Sequence, residues 1–544
     1  MKFELNHDWQ GNMSSPRSTL GEKTKIHLFL ILSVIWVFTG LIGNSPWIPA
    51  ESENISIVMD IVLNNSVITP LAASQDSINN PPLYPFIGAA FVKIFSSILA
   101  HHDAIRLSNF IWISLTLLTL GLTTRELWGV GFGRQAGLIF IASIGLIFNL
   151  HTIRPEIATL LGFALALYGF ALYQRRPFRA SLVLGLGISI IFLSNGALFL
   201  LSIFITALTL LFLKQWRNKR YYLFCLISTI VALSIISPWV YFLYHSNPEI
   251  FFSWLNKVDA TNSDEFFFYI KNMLWFTWPS LPLFIFVLAK NINNINKLKK
   301  IHLPLFFSIS ILFTLSLNTN IDQINLIPLL LPFSVTAAGG IDLLRRSSAS
   351  ALNWFGILIF GFFGFIIWLF WFSTMTGFPE IIYNRIYFLS GNYEPKFEFL
   401  SFFFALLISG LWLYIIFTVK ITNRSAISNW AIGITMVWVT FIMLVSPFIN
   451  NRKSYAPVFQ DVKQHLSQSS SCLYTYNFSP NETNLLHYYS GIKGVDSNKE
   501  LQCRMILLSL NQDSIMPSEY ESWNQIWSGK RISRDKTYYI LLTK

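Results

Sequence analysis

Long apolar runs separated by short polar segments recur along the chain from residue 26 to residue 446. A helix rises about 1.5 Å per residue, so about 18 or more apolar residues in a row are enough to cross the hydrocarbon core of a bilayer. Because 53% of the residues are hydrophobic and only 12% are charged, the chain is too apolar for a soluble protein. We therefore predict an all-α polytopic membrane protein with about thirteen transmembrane helices, at residues 26–43, 105–124, 134–150, 157–174, 179–194, 196–213, 221–243, 271–290, 301–317, 322–341, 351–373, 399–418 and 428–446.

The basic residues form short clusters between the apolar runs. The formal net charge of +12 is, taken alone, typical of nucleic-acid binding. On the thirteen-span topology, however, 21 of the 39 Lys and Arg residues lie in inner segments, 7 lie in or beside outer loops, and 11 follow residue 450. Cytoplasmic loops of membrane proteins carry such an excess of positive charge. We expect a cytoplasmic N-terminal segment at residues 1–25, without the apolar core of a cleaved signal peptide, and no nucleic-acid partner.

This charge distribution indicates that the apolar stretch at residues 81–100 does not cross the bilayer. It opens with Pro81, Pro82 and Pro85 and carries Lys93 in its middle. If it crossed, every later loop would change sides and the basic clusters would face outward. We predict an amphipathic helix that lies on the outer membrane surface, inside a first outer loop at residues 44–104.

The tail at residues 447–544 reads as a small α/β domain, because helix-like stretches alternate with strand-like ones at 472–476, 504–510 and 538–542. An odd number of spans places it on the outer, periplasmic side. Cys472 and Cys503 both fall in this tail. An exported compartment permits a disulfide between them, and two unrelated thiols remain the alternative.

The acidic residues avoid the centres of the predicted spans, where each would cost about 2.5–3.5 kcal/mol. Glu51 and Glu53 follow the first span, and Glu156 begins the fourth, all on the outer side. An outer-facing site with carboxylates from two turns is therefore expected. The alternatives are a helix N-terminal role for Glu156, next to Pro155, and a solvated loop for Glu51 and Glu53.

Short motifs follow one another in the first outer loop. They are Trp47-x-Pro49-x-Glu51, Thr69-Pro70, Pro81-Pro82-Leu83-Tyr84 and Arg106-Leu107-Ser108. Their order resembles the GT-C class of polyprenyl-phosphate-dependent glycosyltransferases, in particular the protein O-mannosyltransferases and the bacterial lipid A aminoarabinose transferases. Arg154-Pro155-Glu156 resembles the second acidic motif of these enzymes, and residues 447–455 resemble the junction to their periplasmic C-terminal domain.

Three positions depart from the family pattern. The family has Asp-Glu where this chain has Ala50-Glu51, and the aminoarabinose transferases have Glu-Lys where this chain has Asn79-Asn80. They also carry Lys before a Gly between two later spans, where this chain has Asn195-Gly196. The resemblance therefore leaves the donor-phosphate contacts and the sugar undefined.

The resemblance implies transfer of a sugar from a polyprenyl-phosphate donor to a cell-envelope acceptor, which is lipid A, another glycolipid, a glycan or a protein. Such a reaction needs a carboxylate to accept the proton of the acceptor hydroxyl and cations to stabilise the departing phosphate. The catalytic candidates are Glu51 and, after it, Glu156. The substrate-binding candidates are the cations Arg154, Arg106, Lys93 and Arg385, with Asn80 and Tyr84 for sugar hydroxyls.

Each of these roles has a structural alternative. In these alternatives, Arg154 pairs with Glu156, Arg385 anchors the chain at the interface, and Tyr84 belongs to an interfacial aromatic belt. No histidine or cysteine set with metal-ligand spacing is present in the sequence, so no metal site and no cofactor besides the lipid-linked donor are expected, and the question of a divalent metal stays open.

The resulting prediction is a GT-C-type glycosyltransferase of the bacterial inner membrane, with a transmembrane domain at residues 26–446 and a periplasmic domain at 447–544. Its partners are membrane lipids, the lipid-linked donor and the envelope acceptor. One alternative is a catalytically altered or inactive accessory relative, which Ala50, Asn80 and Asn195 favour. A lipid or sugar transporter is disfavoured, because transporters place polar residues near the bilayer midplane.

Overall fold

The computed structural model describes residues 21–255, 264–295, 297–319, 321–466, 472–495, 503–512, 516–532 and 535–544. Most of the predicted N-terminal segment, residues 1–20, lies outside these ranges. The chain folds into a large helical bundle followed by a small sheet domain. The bundle helices are, in chain order, α1 (Glu22–Phe38), α2 (Ser52–Asn64), α3 (Leu83–Phe95), α4 (His101–Trp128), α5 (Phe132–Ile141), α6 (Leu146–Asn149), α7 (Glu156–Leu172), α8 (Pro177–Asn195), α9 (Leu200–Leu211), α10 (Lys219–Ser246), α11 (Pro248–Leu255), α12 (Asp264–Phe276), α13 (Ser280–Lys290), α14 (Lys299–Leu315), α15 (Leu330–Gly340), α16 (Arg346–Thr376), α17 (Glu380–Leu389), α18 (Phe399–Thr418), α19 (Asn423–Leu444) and α20 (Ser446–Lys453).

Within the described ranges, seven helices are individually long and apolar enough to cross a membrane, and the number rises to eight if one bent pair counts as a span. Several other predicted spans correspond to shorter helices, such as α7 and α9. The chain is thus a multi-pass membrane protein, as predicted, and the count of thirteen stays a prediction.

The predicted span at residues 271–290 is not one continuous helix. It is the pair α12 and α13, bent by 96° at a break that contains Pro279. The break lies against a second break, between α5 and α6. The Ile144 N–H donates to the Trp278 carbonyl (3.1 Å), and the Gly145 N–H donates to the Phe276 carbonyl (2.9 Å). Non-helical backbone in a membrane protein is tolerated where other protein groups satisfy it, and here each break satisfies the other.

Helix α3 corresponds to the stretch that we predict to lie on the membrane surface. Its 13 residues give a length of about 20 Å, too short to cross a hydrocarbon core of about 30 Å. It packs closely against α2 and α4 at Gly88, where an added Cβ would come within 3.1 Å of Ile105 and 3.3 Å of Val58.

The C-terminal domain has a five-stranded mixed sheet with strand order β2-β1-β3-β5-β4. β1 pairs in parallel with β2 and β3, and β5 pairs antiparallel with β3 and β4. The elements are α21 (Ala456–His465), β1 (Leu473–Tyr476), α22 (Pro480–Ser490), β2 (Gly494–Val495), β3 (Met505–Asn511), β4 (Asn524–Gly529) and β5 (Thr537–Thr543). Cys472 and Cys503 are joined by a disulfide between the starts of β1 and β3, which resolves the alternative that the sequence left open.

Helix α22 docks the sheet domain onto the first outer loop. The Ser52 hydroxyl donates to Asn481 Oδ1 (2.6 Å), and Ser56 Oγ lies 3.0 Å from Nδ1 of His487. His102, at the start of α4, contacts the Tyr488 hydroxyl (2.7 Å). The domain is therefore held against the segment that carries the predicted site.

Candidate functional site

A cavity of about 630 Å³ lies where the first outer loop meets α4, the turn before α7, and the helices α17, α19 and α20. One wall is polar and carries Asn44, Glu51, Arg106, His151 and Arg154. The other is apolar and consists of side chains from α16, α17, α19 and α20. A ligand that fits this cavity has a charged or polar part and an apolar part.

Glu51 is the central carboxylate of the polar wall. A turn built by the Trp47-to-Glu51 motif places it immediately before α2, where the Glu51 N–H donates to the Trp47 carbonyl and the Trp47 N–H donates to Glu51 Oε2 (3.1 Å). Oε1 accepts the Ile153 N–H (3.0 Å). Arg106 completes the set with Nε on Oε1 (2.8 Å) and Nη2 on Oε2 (2.6 Å). Glu51 is 1% exposed, and each of its oxygens accepts two hydrogen bonds.

Arg106 is fully engaged in the same network. Besides Glu51, its guanidinium donates to the Asn44 carbonyl, the Ser45 carbonyl (3.1 Å) and Asp103 Oδ1 (3.4 Å). A buried charge is tolerated when it is paired and hydrogen-bonded in this way. The structure thus brings Glu51 and Arg106 together, as neighbours in an ion pair.

Arg154 pairs with a residue that sequence reasoning missed. Its Nη1 lies 2.5 Å from Oδ2 of Asp322, which precedes the 3₁₀ helix Gln323–Leu329. The structural alternative, a pair with Glu156, is not formed as a hydrogen bond between the two side chains. Glu156 lies at the start of α7, and its Oε2 is buried without a hydrogen-bond partner in the described part of the chain. No local motif could have identified Asp322, which lies 168 residues after Arg154.

Four predicted binding residues lie away from the cavity wall. Tyr84 is 0% exposed, and its hydroxyl donates to Asn109 Oδ1 (2.8 Å) and accepts the Arg154 N–H (3.2 Å), which excludes the interfacial-belt alternative. Burial raises its pKa well above the usual 10, so it stays a protonated donor. Asn80 is half-buried, whereas Lys93 and Arg385 are exposed. Their roles in substrate binding stay predictions.

Other residues line the cavity that were not among the predicted catalytic or binding residues. Ala50 lies on the wall beside Glu51, at the position where the family pattern has Asp. Arg452 and Lys453, at the end of α20, also line the cavity. The only sequence signal for these two was a pair of charges shortly after the last apolar run, which is equally typical of an interfacial anchor. Within the described ranges, no three His, Cys, Asp or Glu side chains come together in a way that could hold a metal ion.

No protein-family model matches the chain. An undecaprenyl phosphate-α-4-amino-4-deoxy-L-arabinose arabinosyl transferase of Pseudomonas fluorescens is 22% identical over 336 residues, which cover 59% of this chain and 58% of that protein. The crystal structure of ArnT from Cupriavidus metallidurans bound to undecaprenyl phosphate superposes with a TM-score of 0.71 at 16% identity, covering 96% of this chain and 98% of that one.

A more distant likeness is to the oligosaccharyltransferase of Archaeoglobus fulgidus tethered with an acceptor peptide. It has a TM-score of 0.50 at 11% identity and covers 87% of this chain and 64% of that protein. The likeness to ArnT extends over nearly the whole of both chains, so this protein has an ArnT-like GT-C fold with a small C-terminal sheet domain, and the predicted fold class is confirmed.

Proposed function

We propose that this protein transfers a sugar from a polyprenyl-phosphate donor to a cell-envelope acceptor on the outer face of the membrane. The observation that carries the proposal is the cavity itself, which joins a polar wall that carries two arginines to an apolar wall and so fits an anionic lipid headgroup and the beginning of its tail. The ArnT structure with the same fold is bound to undecaprenyl phosphate, which supports the same ligand class here.

The proposed reaction is a displacement at the anomeric carbon with inversion. The acceptor oxygen forms a bond to this carbon while the bond to the phosphate oxygen breaks, and the electron pair of that bond remains on the phosphate. The acceptor proton passes to a carboxylate. Glu51 and, after it, Glu156 are the proposed candidates, and Arg106 and Arg154 are the proposed cations of the polar wall.

A second candidate function is that of a catalytically altered accessory relative. It is favoured by Ala50 and by the state of Glu51, whose carboxylate already accepts four hydrogen bonds. Among the described residues that line the cavity, Glu51 is the single carboxylate. In this case the cavity binds the lipid and no sugar is transferred.

The proposed orientation follows from the charge distribution and the disulfide. The N-terminal segment lies in the cytoplasm, and the C-terminal domain, with a boundary near residue 447, lies in the periplasm. The Cys472–Cys503 disulfide supports this placement, because disulfides persist in oxidising compartments. The cavity then opens on the outer side, where lipid-linked sugars meet envelope acceptors.

The test is an assay of sugar transfer from radiolabelled polyprenyl-phosphate donors to envelope acceptors in membrane vesicles that contain the purified protein. We expect the wild type to liberate free polyprenyl phosphate, and Glu51→Gln and Glu156→Gln to lose activity by about 10²-fold or more, the contribution of a general base. Glu53→Gln is the matched control, and gel filtration verifies that each variant is folded.

Full activity of Glu51→Gln together with a silent Glu156→Gln would show that Glu156 is the base. No turnover by the wild type with any donor, together with unchanged envelope glycans in a deletion strain, would reject the transferase. If the wild type shows no turnover, activity gained by the Ala50→Asp variant would establish the catalytically altered accessory relative.

A further inference from the structure

One face of α19 and α20 forms a continuous wall of the cavity. The side chains of this face recur every three or four residues. Residues at this spacing lie on the same side of a helix. They are Trp438, Phe441, Val445, Phe448 and Ile449, followed by Arg452. The stripe passes through Val445, the residue between the two helices, and ends at Arg452. An apolar track therefore ends on a guanidinium group.

The two cations at the end of this track differ from the other cations of the cavity. Arg106 and Arg154 each pair with carboxylates. Arg452 and Lys453 have no ion-pair partner within the ranges that the structure describes. Arg452 Nη1 donates to the Leu389 carbonyl (2.5 Å), which leaves its other N–H groups for a ligand.

Lys453 is held at the cavity by the motif that carries Glu51. Its ammonium lies 4.9 Å from the centre of the Trp47 ring, a cation–π contact. The Trp47 indole N–H in turn donates to Asn450 Oδ1 (3.0 Å). The cationic end of α20 and the first outer loop are thus joined directly beside Glu51.

We propose that Arg452 and Lys453 bind the phosphate of the polyprenyl carrier, with the first isoprene units lying along the apolar track. The inference rests on the proposed function. It assigns the phosphate contacts for which Asn80 and Asn195 offer no positive charge. The phosphate gains negative charge when its bond to the sugar breaks, and the guanidinium and the ammonium that line the same cavity stabilise that charge.

The test measures binding of a fluorescent polyprenyl phosphate, and of the matching polyprenol without phosphate, to the full-length protein in phosphatidylcholine nanodiscs. Removing a charged hydrogen-bond donor weakens binding by about tenfold to a hundredfold. We expect at least tenfold weaker binding of the phosphate for Arg452→Gln and Lys453→Gln, and a larger loss for the double variant. Binding of the polyprenol is expected to be unchanged.

The control is the double variant Arg345→Gln/Arg346→Gln, which removes the same charge from an exposed adjacent pair at the start of α16. We expect it to bind the phosphate as the wild type does. Inorganic phosphate, used as a competitor, distinguishes a lipid site from a site for free phosphate; displacement of the lipid by low concentrations of inorganic phosphate would reject the lipid site.

Wild-type binding and turnover with unchanged affinity in the Arg452→Gln/Lys453→Gln variant would overturn this inference and leave the proposed function intact. Equal binding of polyprenol and polyprenyl phosphate by the wild type would reject any phosphate site. Absence of both binding and turnover in the wild type would reject the proposed function and this inference together.

Discussion

The ion pair between Glu51 and Arg106 is buried, and the charge of each partner is compensated by that of the other. Glu51 receives two of its four hydrogen bonds from Arg106, and Arg106 has Asp103 as a second, longer contact. Removing one partner of a buried pair typically costs about 3–5 kcal/mol, because the remaining charge is left uncompensated. Glu51 thus fixes the geometry of the polar wall whatever further role it has with a substrate.

A double-mutant cycle tests this coupling. We expect Glu51→Gln and Arg106→Gln each to lower the thermal unfolding midpoint in detergent, and the double variant to lose clearly less than the sum of the two, since neither charge then remains alone. The pair Glu126 and Arg175, whose arginine is largely exposed, provides a control cycle that should show little coupling. Additive effects at Glu51 and Arg106 would contradict the buried pair.

At the same scale, some residues of the site could be identified from the sequence and others could not. Glu51 and Arg106 were found separately, because a carboxylate and a guanidinium beside apolar runs are conspicuous. Their pairing spans 55 residues, and the partner of Arg154 lies still further along the chain. Such contacts depend on how the helices pack, which local patterns do not encode. Arg452 and Lys453 were missed because a lipid-facing anchor and a ligand contact look alike in sequence.

At the scale of elements, the docking of α22 on α2 connects the sheet domain with the site. His487 is 3% exposed and contacts Ser56. Burial lowers its pKa below the usual 6.5, while Asp60 raises it and Lys493 lowers it further. A histidine with a lowered pKa is neutral in the docked state. The docked state therefore binds fewer protons than the undocked one at mildly acidic pH.

The stability of the protein is expected to depend on pH partly through this residue, beside His102 in the same interface, whose pKa is lowered to about 3 by burial. The contribution of neutral His487 is complete above pH 6.5 and is lost as the pH falls below that value, by up to about 1.4 kcal/mol per pH unit. The measurement is the unfolding midpoint between pH 7.5 and pH 5. His487→Gln should reduce the dependence, and the exposed His465→Gln should keep it. An equal slope in both variants would exclude His487 as the source.

Helices were predicted well where an apolar run is uninterrupted, as in α4, α10 and α16. The prediction was less accurate where a break occurs inside a run. The 96° bend between α12 and α13 was missed because the apolar composition continues across it. An apolar composition indicates that a segment is buried in lipid or protein. The direction of its helix depends on which backbone groups find hydrogen-bond partners.

At the scale of the whole molecule, the charge distribution predicts which side each end faces. Cytoplasmic loops of membrane proteins carry an excess of Lys and Arg. The prediction applies this rule to the loops of the chain in order. On the proposed topology, Arg346, at the start of α16, lies inside and Lys463, on α21, lies outside. The two positions therefore report on the orientation of the bundle and of the sheet domain.

Cysteine labelling tests the orientation. In a Cys225→Ser background, which leaves the disulfide in place, we expect Lys463→Cys to react with a membrane-impermeant maleimide in intact spheroplasts. Arg346→Cys should react after permeabilisation and not before. Both positions are exposed, so a difference in labelling reflects the side of the membrane. The reverse pattern would show that the topology is inverted.

The two helix breaks that satisfy one another also set an order of events during biosynthesis. The amide groups of Ile144 and Gly145 bond to the carbonyls of Trp278 and Phe276, which are synthesised about 130 residues later. Chain synthesis proceeds at about 5–20 residues per second, so the first break lacks its hydrogen-bond partners for a time on the order of ten seconds. During that time its amides need water, lipid headgroups or the insertion machinery. The early helices can therefore enter the membrane first, but the part of the bundle around this break is completed only after the ribosome has passed Trp278.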